Sequence, residues 1–368
     1  MKYNSIRPGQ IWLDTEGKRI QAHGGSIITV GDTFYWYGEN KENTKAGNGI
    51  WHWGVKCYAS KDLYNWEDKG IIIPPNEEDE NSPLHPSQFM DRPHIIFNEK
   101  TGKFVCWLKI MKKEGTQEST VLISDHILGP YTMVKSGLRP LNMSAGDFDL
   151  VLAPDGKAYY YFERVHSELV CADLTEDFTD VTGYYSTHFP NIQPPYVREA
   201  PAYFNRNGLH YLFTSGTTGY HPNPSEVARA KTFHGPWEIL GNPHTEDPTC
   251  TSFNSQITSV FKHPFKKDLY IALADRWLPK LPEIIGEDFY NGNRYRTVKE
   301  RFKLLFGPER DTVIPGESQK KQDSERQEYG LDLDVDTSVS DYVWLPVRFD
   351  GEMAYIDWID EWKVEDYE

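Results

Sequence analysis

Cysteine is scarce in this chain. There are four in 368 residues, Cys57, Cys106, Cys171 and Cys250, far apart and in no CxxC or metal-ligand spacing. That excludes a disulfide framework or a cysteine-held metal as the organising device. Cys106 and Cys171 fall inside apolar strand-like runs, where free thiols behave as small hydrophobes. No apolar stretch approaches the ~18 residues of a membrane-spanning helix. The opening MKYNSIRPGQIW has no apolar core of signal-peptide length, which gives a cytoplasmic location as the expectation. Positive charge is in deficit as well: 39 Lys and Arg against 55 Asp and Glu leave a formal charge of -16. No basic patch dominates such a background, which argues against nucleic acid and anionic membrane surfaces as partners. The acidic excess itself reads first as solubility.

Aromatic side chains are plentiful, at 14% with 11 Trp and 22 Tyr, while mean hydropathy is low at -0.63. Short strands with wet edges, and clefts lined by rings as in sugar-binding proteins, have that combination.

One phrase returns five times: a polar or acidic residue, then a turn, then a strand of aromatics. The copies run from His23 to TFYWYG, Asp91 to KFVCWL, Asp147 to KAYYYF, Glu199 to LHYLFT and Gln256 to DLYIAL. Self-similarity at roughly 50 residues predicts a propeller or an array. Four strands are legible per repeat, as in GSIITV, TFYWYGE, WGVKCYAS and EDKGIII of the first. The expectation is an all-β, five-bladed β-propeller using residues 1–368 as a single unit. A β-sandwich would explain the strand spacing but not the fivefold return. An insertion at about 279–340 interrupts the last blade. It contains a helix-like stretch with Tyr295, Val298, Phe302 and Leu305 at helical spacing, then the polar GESQKKQDSERQEYG. It reads either as a surface excursion or as a lid or subunit contact over the cleft.

Innermost propeller strands start around a central channel, so residues at their entrances face one another. These are His23, Asp91, Asp147, Glu199 and Gln256. Asp and Asn also begin strands for turn reasons. Glu199, in YVREAPAYF, is not explained that way, and a carboxyl inside a strand run is a functional candidate.

REAPAYF followed by YLFTSG, with DFDLVLAPDGKAYY, ADRW and the closing YVWLPVRFDG, resembles glycoside hydrolase family 43. The resemblance runs from about Ile11 to Glu361. It implies a five-bladed propeller and an inverting glycosidase that needs no cofactor, with a structural calcium in some relatives. It implies that Glu199 is the general acid and Asp147 an orienting carboxylate, with Asp149 a rival that strand alternation disfavours. Where most members open the first blade with a base Asp, this chain reads QAHGGSII, with His23 in its place. That departure resembles the exo-β-1,3-galactanase branch, in which a glutamine on blade five holds the attacking water; Gln256 in SFNSQITSV matches it. On blade two that branch has Glu before Arg-Pro, and here the residue is Asp91.

Burial and a neighbouring carboxylate should keep Glu199 protonated near neutral pH. Imidazole is a chemically competent base, so His23 is a candidate, though Gln256 as water-holder is preferred to it. For sugar binding the candidates are Asp91, Arg92, Glu39, Tyr37, Arg276 and Trp277, with Trp51 and Trp53 of GIWHWG as a stacking wall and His221 (with Asn223) on the rim. Glu39 reads equally as a strand-end charge, and a Trp is more often core. Three functions compete. The first is removal of terminal galactose from β-1,3-galactan-type chains. The second is a galactofuranosidase, arabinofuranosidase or β-xylosidase of the same family. The third is a non-catalytic carbohydrate-binding propeller, against which a retained acid speaks. The partner is an oligosaccharide or polysaccharide; oligomeric state is left open.

Overall fold

The computed structural model describes residues 2–191, 194–292 and 335–368. The first four-stranded sheet is β1 (His23–Val30), β2 (Thr33–Glu39), β3 (Val55–Ser60) and β4 (Glu67–Ile73). The second is β5 (Phe89–Asn98), β6 (Lys103–Met111), β7 (Gln117–Ser124) and β8 (Thr132–Leu138). The third is β9 (Ala145–Leu152), β10 (Ala158–Arg164), β11 (Glu168–Leu174) and β12 (Val181–His188). The fourth is β13 (Arg198–Arg206), β14 (Leu209–Gly216), β15 (Glu226–Ala230) and β16 (Glu238–Gly241). The fifth is β17 (Gln256–Lys262), β18 (Tyr270–Arg276), β19 (Asp341–Asp350) and β20 (Met353–Ile356). Each is an antiparallel meander in chain order, which makes the molecule the expected five-bladed β-propeller. The first three strands of each blade are β-branched and aromatic, and they are mostly buried. Outermost strands such as β12, VTGYYSTH, are largely exposed.

The core lies between blades rather than within any one of them. Separate apolar clusters fill the contacts of blades one and two, two and three, three and four, and four and five. The fifth cluster closes the ring between blades five and one. In it Trp36 meets Trp344 with ring centroids 4.5 Å apart and Tyr342 at 4.6 Å, while Trp12 meets Trp344 at 4.8 Å. The N-terminal segment straps the same seam through the Ile6–Trp362 bridge and Gly9 N–H donating to Tyr342 O. All four cysteines are buried free thiols.

Each innermost strand breaks register with its neighbour at its entrance. The slips fall between His23 and Ser26, Asp91 and His94, Glu199 and Ala202, and Ile257 and Ser259, and in blade three between β9 residues 145 and 148. A bulge of this kind leaves one residue unpaired and re-aims its neighbours. Three of the bulges hold a residue in the left-handed region: Gly24 (φ 61), Arg92 (φ 55) and Ala200 (φ 49). At Gly24 a Cβ would collide with the Glu39 carboxylate, which accounts for glycine in QAHGG.

The chain leaves blade five after Arg276 and rejoins it at Asp341, and the two strands pair directly. Within that span α1 (Leu281–Ile285) and α2 (Glu287–Tyr290) are short helices. The helix expected around Tyr295 to Leu305 and the polar run after it lie outside the described residues.

Candidate active site

A cavity of about 310 Å³ opens where the five inner strands begin. Blade one lines it with Glu39 and Trp51, blade two with Asp91, Arg92 and Lys109, and blade three with Asp147 and His166. Blade four adds Glu199 and Tyr220, and blade five adds Gln256 and Trp277. Its size is near the lower end of small-ligand sites, ~300–1,000 Å³. A larger open depression of about 980 Å³ lies at the opposite ends of blades two and three and is lined by turn residues such as Pro154 and Gly156.

One hydrogen-bonded chain runs round the cavity. The Trp51 indole N–H donates to Asp91 Oδ1 (2.7 Å). Lys109 Nζ bridges Asp91 Oδ2 (3.2 Å) and Asp147 Oδ1 (2.8 Å). Arg92 Nη2 donates to Asp147 Oδ2 (2.8 Å) and to Gln256 Oε1 (2.9 Å). Gln256 Nε2 then donates to Glu199 Oε1 (3.1 Å) and Ser215 Oγ (2.9 Å), while Trp277 Nε1 donates to Gln256 Oε1 (3.3 Å). Residues from all five blades therefore hold one another in place.

This arrangement drives the carboxyls apart in acidity. Burial raises Glu199 well above the ordinary carboxylic range, and the negative charges of Asp147 and Glu163 add to it. Burial also opposes ionisation of Asp147, but the Arg92 guanidinium and Lys109 ammonium outweigh it and hold the group at about 2. Asp91 is likewise lowered, by Lys109 and Lys41 against the effect of burial. Glu39 is pushed up to about 7 by burial, partly offset by Lys41 and reinforced by Asp91. A protonated carboxylic acid thus faces ionised carboxylates, the division of roles expected of acid-assisted bond cleavage.

The fold explains why REAP delivers one carboxyl to the cavity. Arg198 turns to the other side of the strand, where it pairs with Glu226 and donates to Thr214 Oγ1 (3.0 Å). In β9, Asp147 and Asp149 are two residues apart and would share a face in a regular strand, but Asp147 falls within the register break between 145 and 148, which re-aims it into the cavity. Asp149 stays in the regularly paired part of the strand and meets His94 Nδ1 (2.8 Å) and the Tyr203 N–H (2.7 Å), where it joins neighbouring blades.

Asp91, Arg92, Glu39, Trp51, Trp277, Asp147, Glu199 and Gln256 are brought together; five expected residues are not. His23 is fully buried below the cavity, with Nδ1 3.0 Å from Asp275 Oδ1, Nε2 3.2 Å from Gln21 Oε1, and its ring stacked on Tyr342. The bulge at Gly24 turns it from the channel towards blade five. Tyr37 packs between blades one and two, its hydroxyl accepting from the Ile95 N–H (2.8 Å). Arg276 follows Asp275 on β18, so alternation points it away; it donates to Phe253 O (2.9 Å). Trp53 is not among the residues lining the cavity; its backbone N–H donates to the Asn40 carbonyl (2.8 Å). His221 lies behind Tyr220 in a small recess with Asn223, whose amide clamps Gly216 on both sides.

Lys109, Lys41, Tyr220 and His166 were not legible as site residues. Lys41 is fully buried; its Nζ lies 2.9 Å from Glu39 Oε2, donates to Trp51 O (2.8 Å) and sits 4.6 Å from the centre of the Trp51 ring. Tyr220 sits between Trp51 (5.9 Å, stacked) and Trp277 (5.1 Å), so three rings from three blades arc over the cavity. Among the described residues no group of three or more His, Cys, Asp or Glu is placed to hold a metal ion. Arg92 and Lys109 already occupy the space between the cavity's aspartates, a lining that does not fit a calcium ion.

Residues 19–298 match the sequence profile described as Glycosyl hydrolases family 43. A solved family 43 beta-1,3-galactosidase superposes with a TM-score of 0.75 at 27% identity, over 99% of this chain and 65% of that one. An exo-beta-1,3-galactanase from Clostridium thermocellum superposes with a TM-score of 0.72 at 26% identity, over 98% of this chain and 66% of the other. Xylosidase/arabinosidase 43B of Humicola insolens is 23% identical over 229 residues, 58% of this chain and 39% of that protein. The chain thus spans about two thirds of the length of those solved relatives and well under half of the curated one.

Proposed function

We propose, from the premise that this chain belongs to glycosyl hydrolase family 43 and is a glycosidase acting on carbohydrate, that it removes terminal galactose from β-1,3-galactan-type chains with inversion. The observation that carries the reading is the pairing of a protonated Glu199 with an Asp147 held ionised at about 2 in one small cavity. The galactose preference draws on the names of the two solved relatives.

In this reading the Glu199 proton goes to the glycosidic oxygen as the bond to the anomeric carbon breaks, while a water attacks from the opposite face. Gln256 positions that water. Both hydrogens of its amide and both acceptor positions of its oxygen are engaged by protein groups. The water therefore enters by displacing one partner, and the Trp277 contact at 3.3 Å is the longest. Asp147 supplies the fixed negative charge that helps keep Glu199 protonated between turnovers.

The test is hydrolysis of β-1,3-galactobiose and β-1,3-galactan, with products followed by chromatography and the first-formed anomer by NMR. Galactose alone, appearing first as the α-anomer, is expected. Turnover of aryl arabinofuranoside or xyloside in place of galactobiose would favour the second reading, which rests on the name of the curated relative. Binding without turnover of any substrate would leave a carbohydrate-binding propeller.

Gln256 and His23 separate by their failure modes. Gln256→Ala should lower kcat by about 10²-fold, as losing one preorganised polar group does, with little change in Tm. His23→Ala empties a fully buried site and strips Asp275 of a partner, which should cost ~2–4 kcal/mol of stability. Its folded enzyme should keep most of its kcat. Matched melts and initial rates for the two variants decide this. A folded His23→Ala slower than Gln256→Ala would return His23 to the chemistry.

A further inference from the structure

His166 lies in the turn joining β10 to β11 and lines the cavity on the blade-three side. Its backbone is left-handed (φ 56), a strained setting for a residue that is not glycine. What holds it is Glu163, only 2% exposed and behind the cavity wall. Glu163 Oε1 accepts from the His166 backbone N–H (2.9 Å) and from its Nδ1 (3.0 Å). The other Glu163 oxygen lies against Gly146, where any Cβ would collide with it. A buried carboxylate seated against Gly146 thus orients a half-exposed imidazole whose Nε2 has no hydrogen-bond partner among the described residues. Most other polar groups of the cavity are already tied to one another.

We infer that His166, oriented by Glu163, is a specificity-determining residue that hydrogen-bonds a hydroxyl of the sugar released as leaving group. The inference rests on the reading of Glu199 as general acid. The leaving sugar lies on the side of the group that protonates it, and Glu199 and His166 line the same cavity, from blades four and three that adjoin each other. In a small cavity that retains one terminal sugar, the departing unit faces the rim, where His166 is. The hydrogen bond to Glu163 raises His166 above the usual imidazole range, opposed by burial and Lys109 and aided by Asp147. Its Nε2 is therefore a charged donor over a wider range of pH.

The experiment compares β-1,3-galactobiose with an aryl β-galactopyranoside, whose leaving group carries no sugar hydroxyls, on purified enzyme. His166→Ala should raise KM for galactobiose about ten-fold, the equivalent of ~1.4 kcal/mol, and leave kcat/KM for the aryl substrate within about two-fold. His166→Asn, which tolerates the left-handed backbone and keeps a donor, should recover part of the loss. Glu163→Gln should give a smaller rise in KM and move the alkaline limb of kcat/KM to lower pH, because one negative charge facing Glu199 is gone. The other groups that act on Glu199, Asp147 of β9, Lys109 of β6 and Arg92 of β5, stay in place. Equal losses on both substrates, or loss on neither, overturn the inference. Retained galactobiose hydrolysis by Glu199→Gln instead overturns the acid assignment beneath it. A wild-type enzyme that releases no galactose overturns both.

Discussion

Glu199→Gln should lose about 10³-fold in hydrolysis of β-1,3-galactobiose, within the ~10²–10⁴ that a positioned general acid supplies. The amide keeps the shape of the carboxyl and can still meet Gln256, so the loss isolates the proton. An aryl galactoside with an acidic phenol needs less help to depart and should suffer far less, which makes the ratio of the two losses the diagnostic. In the wild type, activity should fall as pH rises through the elevated Glu199 value, because the acid is then spent; that limb should vanish in the variant. Stability should move the other way. A carboxyl whose folded pKa is raised destabilises the fold at pH values above its unfolded pKa. Glu199→Gln should therefore melt no lower than wild type at pH 7. A variant equally slow on both substrates, or one with an intact alkaline limb, would remove Glu199 from the acid role.

The second large effect is Lys109→Met. Lys109 Nζ bridges Asp91 and Asp147, and removing it leaves two buried anions with Arg92 and the more distant Lys41 as compensation. Breaking a buried ion pair from one side costs ~3–5 kcal/mol. The sign with pH follows from the shifts. Asp147 is held at about 2 and Asp91 is also lowered, so their contribution to stability is full above the unfolded carboxylate range and is lost as pH falls through those lowered values. Without Lys109 both values rise, and protonation relieves the strain at milder acidity. The stability gap between wild type and Lys109→Met should thus be widest near pH 7 and narrow towards pH 4. Urea melts at the two pH values measure it, and an equal gap at both would show that charge is not what Lys109 contributes. Activity should fall as well, since Asp147 loses one of its two anchors.

Lys109 also shows where sequence reading ran out. The strand entrances are legible because each repeat announces its own polar leader, but alternation does not separate Asp147 from Asp149, two residues apart; the register break around Asp147 does. What faces those leaders was not legible, because the partner comes from another strand at a register that the sequence does not state. Counting back from the Asn98–Lys103 pair in unbroken register sets Ile110 opposite Asp91, whereas the bulge shifts the partner to Lys109. Lys41 was hidden differently: NKEN reads as a solvated loop, yet its lysine is fully buried against Glu39. His23 misled for the opposite reason. It holds the right place in the repeat, but the Gly24 bulge turns it out of the channel, so position along the chain did not give position in the site. The helix around Val298 lies outside the described residues.

Those five slipped entrances also make the enzyme modular. Because each irregularity separates the first residues of an inner strand from the pairing of the rest, the entrance side chains that face the cavity lie apart from the apolar packing between blades. The ring behaves as a fixed chassis with four sockets, at Asp91, Asp147, Glu199 and Gln256, that open on the cavity, whereas His23 at the fifth entrance is part of the packing against blade five. Deleting one bulge residue, by contrast, would turn that entrance to the opposite face of its blade. Substrate range in such a molecule should drift by substitution at the sockets and be guarded against deletions beside them.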